Sequence, residues 1–194
     1  MIVQKYKDML QGKSVIRQLS EFATARGQEI GYENVFDYSL GNPSVPVPQQ
    51  FTDTMIHMLQ ERNPMELHGY SQSLGIPAVR DKVAASLNKR FGMHYTGKHI
   101  FMTTGAAGAI AHAVRCVAGP GDEILTFAPF FPEYTPYINL TGASLKVVPA
   151  NTQNFQINFE AFEQMITEKT AAVLINTPNN PSGIVYSTET IRKL

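Results

Sequence analysis

The sequence predicts an α/β fold, a mostly parallel sheet with flanking helices. Three observations carry this. Short apolar runs at residues 99–103, 123–127, 144–148 and 171–175 alternate with stretches of helical periodicity. The turn Gly119-Pro120-Gly121-Asp122 separates a small-residue helix from the run at 123–127. The run at 171–175 is apolar throughout, as a strand covered on both faces should be.

The elements follow in order. Residues 1–13 read as a polar arm, and Ser14 suits the cap of a helix carrying Ile16, Leu19, Phe22 and Ala23. Pro43, Pro46 and Pro48 forbid a regular helix in residues 36–48 and favour an extended crossing segment. That segment sets the expected boundary between an N-terminal piece, residues 1–47, and the main domain, residues 48–194. Phe51, Met55, Met58 and Leu59 fall on one helical face, and core packing is their plainest reading. After Asn63-Pro64 a loop enters a helix with Pro77 in its first turn, an apolar face of Val79, Val83, Leu87 and Phe91, and Gly92 as its stop. The run at 99–103 is a strand candidate, and Thr104 to Gly108 lead into a helix through Val117. Asn158 caps a helix with Phe159, Phe162, Met165 and Ile166 inward, and a last helix starts near Ser187. Lys193, on that helix, reads as a solvated charge.

Composition excludes several classes. Sixteen basic and sixteen acidic residues balance to zero net charge, which gives no electrostatic case for nucleic acid. A hydrophobic content of 43% argues against disorder. The lone Cys116 excludes an internal disulfide and, in its helical setting, is expected to be a small buried filler. No apolar run reaches a membrane span of ~18 residues, and Lys5, Lys7 and Asp8 break any apolar signal core. A soluble, reducing, cytoplasmic setting is the expectation. The five histidines show no close pair at metal-ligand spacing, so no metal site is expected.

Three loops follow strand candidates, where ligands of open α/β sheets bind. Thr104-Gly105-Ala106-Ala107-Gly108 offers an anion the main-chain N–H groups of a helix N-terminus. It is neither a dinucleotide fingerprint nor a P-loop, and close helix packing explains the small residues equally well. Residues 128–134, APFFPEY, could stack an aromatic on a flat ring, though core aromatics in a proline-rich loop are the plainer reading. Residues 176–183, NTPNNPSG, place amides on a rigid turn; turn formation alone does not readily account for the whole octapeptide.

Together with LGNP at 40–43 and HGYSQSLG at 68–75, these segments occur in an order and spacing that resembles class I/II aminotransferases. These are the aspartate-aminotransferase-like branch of the fold-type-I pyridoxal-phosphate enzymes. The resemblance covers essentially the whole chain, and NTPNNPSG is its most specific motif. It implies an arm with part of a small domain for residues 1–47 and the first half of that fold's large domain for residues 48–194, with pyridoxal 5'-phosphate as cofactor, amino acid and 2-oxo acid as substrates, and a homodimer. Gly41 matches the glycine beside the substrate carboxylate. Tyr70 matches the tyrosine that bonds the cofactor phosphate of the neighbouring subunit, with His68 at the edge of that site. Ala106 and Ala107 match the positions whose N–H groups hold the phosphate in the same subunit. Phe131 matches the aromatic stacked on the pyridine ring, where the family often has Trp or Tyr. Asn180 matches the asparagine that bonds the ring's phenolic oxygen and lies beside the substrate.

The resemblance also implies a Schiff-base lysine, an Asp paired with the pyridinium nitrogen, and a late carboxylate-gripping Arg. All come after NTPNNPSG in family order, beyond Leu194. Hence the chain is expected to be the N-terminal half of an aminotransferase, inactive alone. Its run at 99–103 is expected to lack the neighbouring strands that the family places later. A carbon–sulfur β-lyase on the same first half and a non-catalytic aminotransferase-like sensor domain are the rival readings. A bare nucleotide-binding module lacks its fingerprints.

Overall fold

Proline and glycine positions punctuate the chain, and the computed structural model, which describes residues 2–11, 15–41 and 45–194, shows where each acts. The chain divides into two units between Tyr70 and Ser71.

The first unit is helical. The expected arm contains α1 (Gln4–Gln11), where Gln4 Nε2 donates to Asp8 Oδ1 at 2.8 Å one turn on. α2 (Val15–Ile30) follows; its expected cap, Ser14, lies outside the described residues. Gly31, at φ 89°, ends α2 in a conformation that glycine adopts freely. The chain then folds back through a 3₁₀ turn, Tyr32–Asn34, whose Tyr32 ring occupies the space a Cβ at Gly27 would need. Extended residues lead to Pro48 and α3 (Gln49–Glu61). The stripe expected to pack in a core does not do so: Phe51 is 58% exposed and Leu59 60%, because nothing among the described residues of this unit covers that face. Asn63-Pro64 starts a short helix that the sequence reading did not mark, α4 (Pro64–His68), with Asn63 Oδ1 accepting from Met65 N–H at 2.9 Å, and residues 69–76 form the expected loop after it.

The second unit opens with α5 (Pro77–Phe91), which has proline at its first position and Gly92, at φ 66°, as its left-handed stop. Asn88 brackets Tyr95 with two hydrogen bonds, 2.7 and 2.8 Å, and Arg80 Nε donates to the Ile100 carbonyl at 2.9 Å. The expected strand at 99–103 is not one. His99 ends a 3₁₀ turn, Gly97–His99, and residues 100–103 pair with no strand, leaving Phe101 57% exposed. A strand exists only with a ladder partner, and here the Ile100 carbonyl goes to an arginine instead.

α6 (Gly105–Val117) and the turn at 119–122 deliver the chain into β1 (Glu123–Phe127). α7 (Tyr134–Asn139) leads to β2 (Ser144–Val148), and α8 (Phe159–Met165) to β3 (Thr170–Leu174). The sheet is parallel in the order β2-β1-β3, so β1 is central. Alternation sends its side chains to opposite faces. Ile124 packs with Val114, Ala118, Tyr134 and Ile138; Leu125 and Phe127 pack with Val148, Ile157, Phe162 and Tyr186. β3 is apolar but covered on one face only, since Ala171 and Val173 are exposed while Ala172 and Leu174 pack inward. Ile166, expected inward, is 49% exposed just past α8. Cys116 is exposed, against expectation: Ile110 and Val114 are one turn apart on the inward face of α6, and Cys116 falls off it. Lys193, on α9 (Thr188–Lys193), lies with Nζ 4.3 Å from the centre of the Phe159 ring and is therefore more than a solvated charge. Among the described residues no helix is long and apolar enough to cross a membrane.

Candidate active site

In a parallel sheet the loops after adjacent strands leave from the same end. Residues 128–133 follow β1 and residues 175–187 follow β3, so Phe131 and Asn180 belong to one rim of the sheet. α6 brings its N-terminus to that rim as well. It is joined to the start of β1 by a short turn, and its Ile110 and Val114 pack on the cluster holding Ile124, Phe130 and Phe131, so it runs back along the sheet. Thirteen residues of helix at ~1.5 Å each cover about the length of a five-residue strand.

The start of α6 is open. Thr104 caps no N–H with its side chain, and its neighbour Thr103 points Oγ1 to the Gly105 carbonyl at 2.9 Å instead. Gly105, at φ 69°, has nothing within 4 Å of an added Cβ, and Ala106 and Ala107 are exposed. The first-turn N–H groups of a three-turn helix thus face outward behind small side chains, which suits a phosphate. At Gly108 an added Cβ would meet Thr103 only at ordinary contact distance, 3.5 Å, so packing alone does not demand glycine there.

Phe131 is half-buried, its ring edge-on to Tyr134 with centroids 5.6 Å apart. Phe130 stacks on Tyr134 at 6.4 Å. Burial pushes the Tyr134 phenol above its ordinary pKa, so it stays neutral near pH 7. One aromatic in the pair 130–131 therefore has a supported ring with part of its surface free, as a stacking platform requires.

The loop after β3 is built on side chains that the sequence reading did not single out. Asn179 is buried, and its Oδ1 accepts from Ser182 N–H at 3.1 Å and Ser182 Oγ at 2.8 Å. Its main chain closes the turn: Asn179 N–H donates to the Ile184 carbonyl at 2.9 Å, and Gly183 N–H donates to the Asn179 carbonyl at 2.7 Å. Tyr186 N–H donates to Thr177 Oγ1 at 3.0 Å, tying the returning limb to the outgoing one. Gln156 holds that limb from outside, donating to the Val185 carbonyl at 3.1 Å and accepting from Ser187 N–H and Thr190 Oγ1. Asn180 is exposed, and its N–H donates to Asn176 Oδ1 at 2.7 Å. The only signal for Asn179 in the sequence is its place beside Asn180; which of two adjacent asparagines turns inward depends on backbone angles that composition does not reveal.

Gly41 and Tyr70 belong to the other unit. Tyr70 is fully exposed, and nothing lies within 4 Å of a Cβ added at Gly41, so nothing within the described residues requires glycine there. Asn42 and Pro43 of the LGNP motif lie outside the described residues. Among the described residues no cluster of three metal-ligating side chains occurs.

The family model for aminotransferase class I and II matches residues 33–194. Aspartate aminotransferase from Thermotoga maritima is 30% identical over 190 residues, covering 93% of this chain and 49% of the relative. LL-diaminopimelate aminotransferase from Dehalococcoides mccartyi is 32% identical over 155 residues, 79% of this chain and 39% of the relative. The crystal structure of an aminotransferase from Eubacterium rectale superposes with a TM-score of 0.91 at 42% identity, over all of this chain and 49% of the other. The chain spans about half the length of the relatives it matches. With the open helix N-terminus, the supported aromatic and the asparagine turn gathered at one rim of a parallel sheet, the match over residues 33–194 shows that the chain belongs to the class I and II aminotransferase family.

Proposed function

We propose that this rim is the pyridoxal 5'-phosphate site of an enzyme that moves an amino group between an amino acid and a 2-oxo acid. One observation carries the reading: a helix N-terminus left uncapped behind two alanines shares the rim with Phe131 and Asn180 in a member of this family. When bound, the cofactor supplies an electron sink for charge released at the substrate Cα.

The chain's own residues do the rest. The N–H groups of Ala106 and Ala107 hold the phosphate, where the helix dipole adds to the hydrogen bonds. Phe131 stacks on the ring and excludes water from one face. Asn180 donates its carboxamide N–H to the ring oxygen and so favours its anionic form. Gly41 leaves room for the substrate carboxylate, and Tyr70 reaches the phosphate of the neighbouring subunit in a homodimer; the full exposure of Tyr70 supports that role. The domain border at 47/48 and a cytoplasmic location belong to the same reading. None of the segments 103–109, 128–134 and 176–183 carries a lysine, so the covalent link to the cofactor is assigned to the length of the relatives this chain does not span.

Ala106→Asp tests the phosphate assignment. An acid in the first turn suits the helix dipole, so α6 survives, but it repels a phosphate at the same N–H groups. Titration with pyridoxal 5'-phosphate, followed by absorbance, should show saturable binding to the 194-residue chain and a loss of at least about tenfold in the variant. Equal affinity would refute the assignment.

A further inference from the structure

Asn180 presents an exposed side chain on a tethered main chain. The turn that carries it is already closed by main-chain bonds, from Asn179 N–H to the Ile184 carbonyl and from Gly183 N–H to the Asn179 carbonyl. The bond from Asn180 N–H to Asn176 Oδ1, at 2.7 Å, is additional to that closure and is among the shortest in the loop. Asn176 is half-buried and stands two residues past the end of β3, at the root of the loop it braces. On the other side Asn179, buried, locks Ser182 with two bonds.

The backbone is thereby fixed on both flanks of Asn180, and its own carboxamide is left uncommitted to solvent. Rotamers depend on backbone angles, so fixing φ and ψ narrows the directions the side chain can take. A donor aimed in advance contributes more to binding than one that must first be ordered. Three of the four asparagines in residues 151–180 that follow β3 or cap its neighbour serve the backbone; Asn180 alone on this loop offers its side chain outward.

We infer that Asn176 is a positioning residue: its side-chain oxygen holds the Asn180 main chain so that the Asn180 carboxamide meets the cofactor's ring oxygen ready-oriented. This rests on the reading of Asn180 given above. It adds a residue that touches neither cofactor nor substrate and acts through one that does.

The test uses the 194-residue chain with Asn176→Ala, Asn176→Asp and Asn180→Ala, and two readouts. The first, amide hydrogen exchange at Asn180 followed by NMR, needs no cofactor. Asn176→Ala should speed it about tenfold, the effect of losing one hydrogen bond, and Asn176→Asp, whose carboxylate accepts the same bond, should restore protection. The second is the pH midpoint for ionisation of the ring hydroxyl of bound pyridoxal 5'-phosphate, read by absorbance. Asn180→Ala should raise that midpoint by about one pH unit. Asn176→Ala should raise it by part of that amount, Asn176→Asp by less, and the double variant by no more than Asn180→Ala alone. Unchanged exchange at Asn180, or a wild-type midpoint in Asn176→Ala while Asn180→Ala moves it, would overturn the inference. A wild-type midpoint in Asn180→Ala, or no binding at all, would instead refute the function on which it rests.

Discussion

Replacing Asn179 with alanine removes the buried side-chain acceptor of the candidate cofactor turn. The oxygen lost takes two bonds, from Ser182 N–H at 3.1 Å and Ser182 Oγ at 2.8 Å. Ser182 is exposed, so water replaces the acceptor and neither donor is left unsatisfied. The cost is therefore the net worth of two hydrogen bonds, about 2 kcal/mol, or roughly thirtyfold in the balance between closed and open turn. Gly183 N–H, bonded to the Asn179 carbonyl at 2.7 Å, reports that balance by its hydrogen exchange. Exchange at Gly183 should quicken roughly thirtyfold in Asn179→Ala and about fivefold in Ser182→Ala, which keeps the Ser182 N–H bond and loses the hydroxyl's bond to Asn179 together with the long one, 3.4 Å, that the hydroxyl accepts from Ile184 N–H. Exchange at Gly183 within about twofold of wild type in Asn179→Ala would show that the main-chain bonds alone hold the turn.

Leu125, fully buried on the central strand, should cost about 2–5 kcal/mol when cut to alanine, seen as a lower urea midpoint. Glu123 accepts from Thr167 Oγ1 at 2.8 Å and lies 3.3 Å from Lys146 Nζ; the hydroxyl first, and the lysine after it, hold its carboxyl below the usual range. A carboxyl lowered by folding contributes stability present above its unfolded pKa, ~4.3, and lost as pH falls through the folded value. Urea midpoints taken from pH 6 down to pH 3 should therefore fall less steeply in Glu123→Gln than in wild type; parallel curves would contradict this. Without a lysine in its cofactor loops, the 194-residue chain should not transfer amino groups to 2-oxoglutarate, and a rate of ~1 s⁻¹ or more would refute that.

β1 is legible in the sequence because the turn at 119–122 marks its start, but composition picks the wrong strand as the doubly covered one. The unbroken apolar run at 171–175 belongs to β3, covered on one face, while β1, with Glu123 and Thr126 in its run, is the strand packed on both. α5 is legible because Pro77 and Gly92 act through fixed backbone preferences that need no partner. Where partners decide, the local pattern misleads. Residues 99–103 have strand composition, but a strand needs a neighbour, and the described chain supplies none. The stripe Phe51, Met55, Leu59 has helical spacing, yet spacing says which residues share a face and not what covers it. Cys116 illustrates the same limit at one residue: α6 is correctly read, and its angular position puts the thiol outside. At the candidate site the motifs mark the start of α6 and the loops after β1 and β3, and the fold gathers these three at one rim. The scaffold beneath them, Asn176, Thr177, Asn179 and Gln156, depends on side chains reaching up to 34 positions along the chain, and no local pattern shows that.

The account's central claim is that the rim formed by the start of α6 and the loops after β1 and β3 receives pyridoxal 5'-phosphate. Titrating the cofactor into the ¹⁵N-labelled chain and following every amide by NMR tests it most directly. The account predicts that the largest saturable shifts fall on Ala106, Ala107, Phe131 and Asn180, and that inorganic phosphate reproduces only those at Ala106 and Ala107. Saturable shifts confined to other residues, or none at Ala106 and Asn180 at saturation, would contradict it.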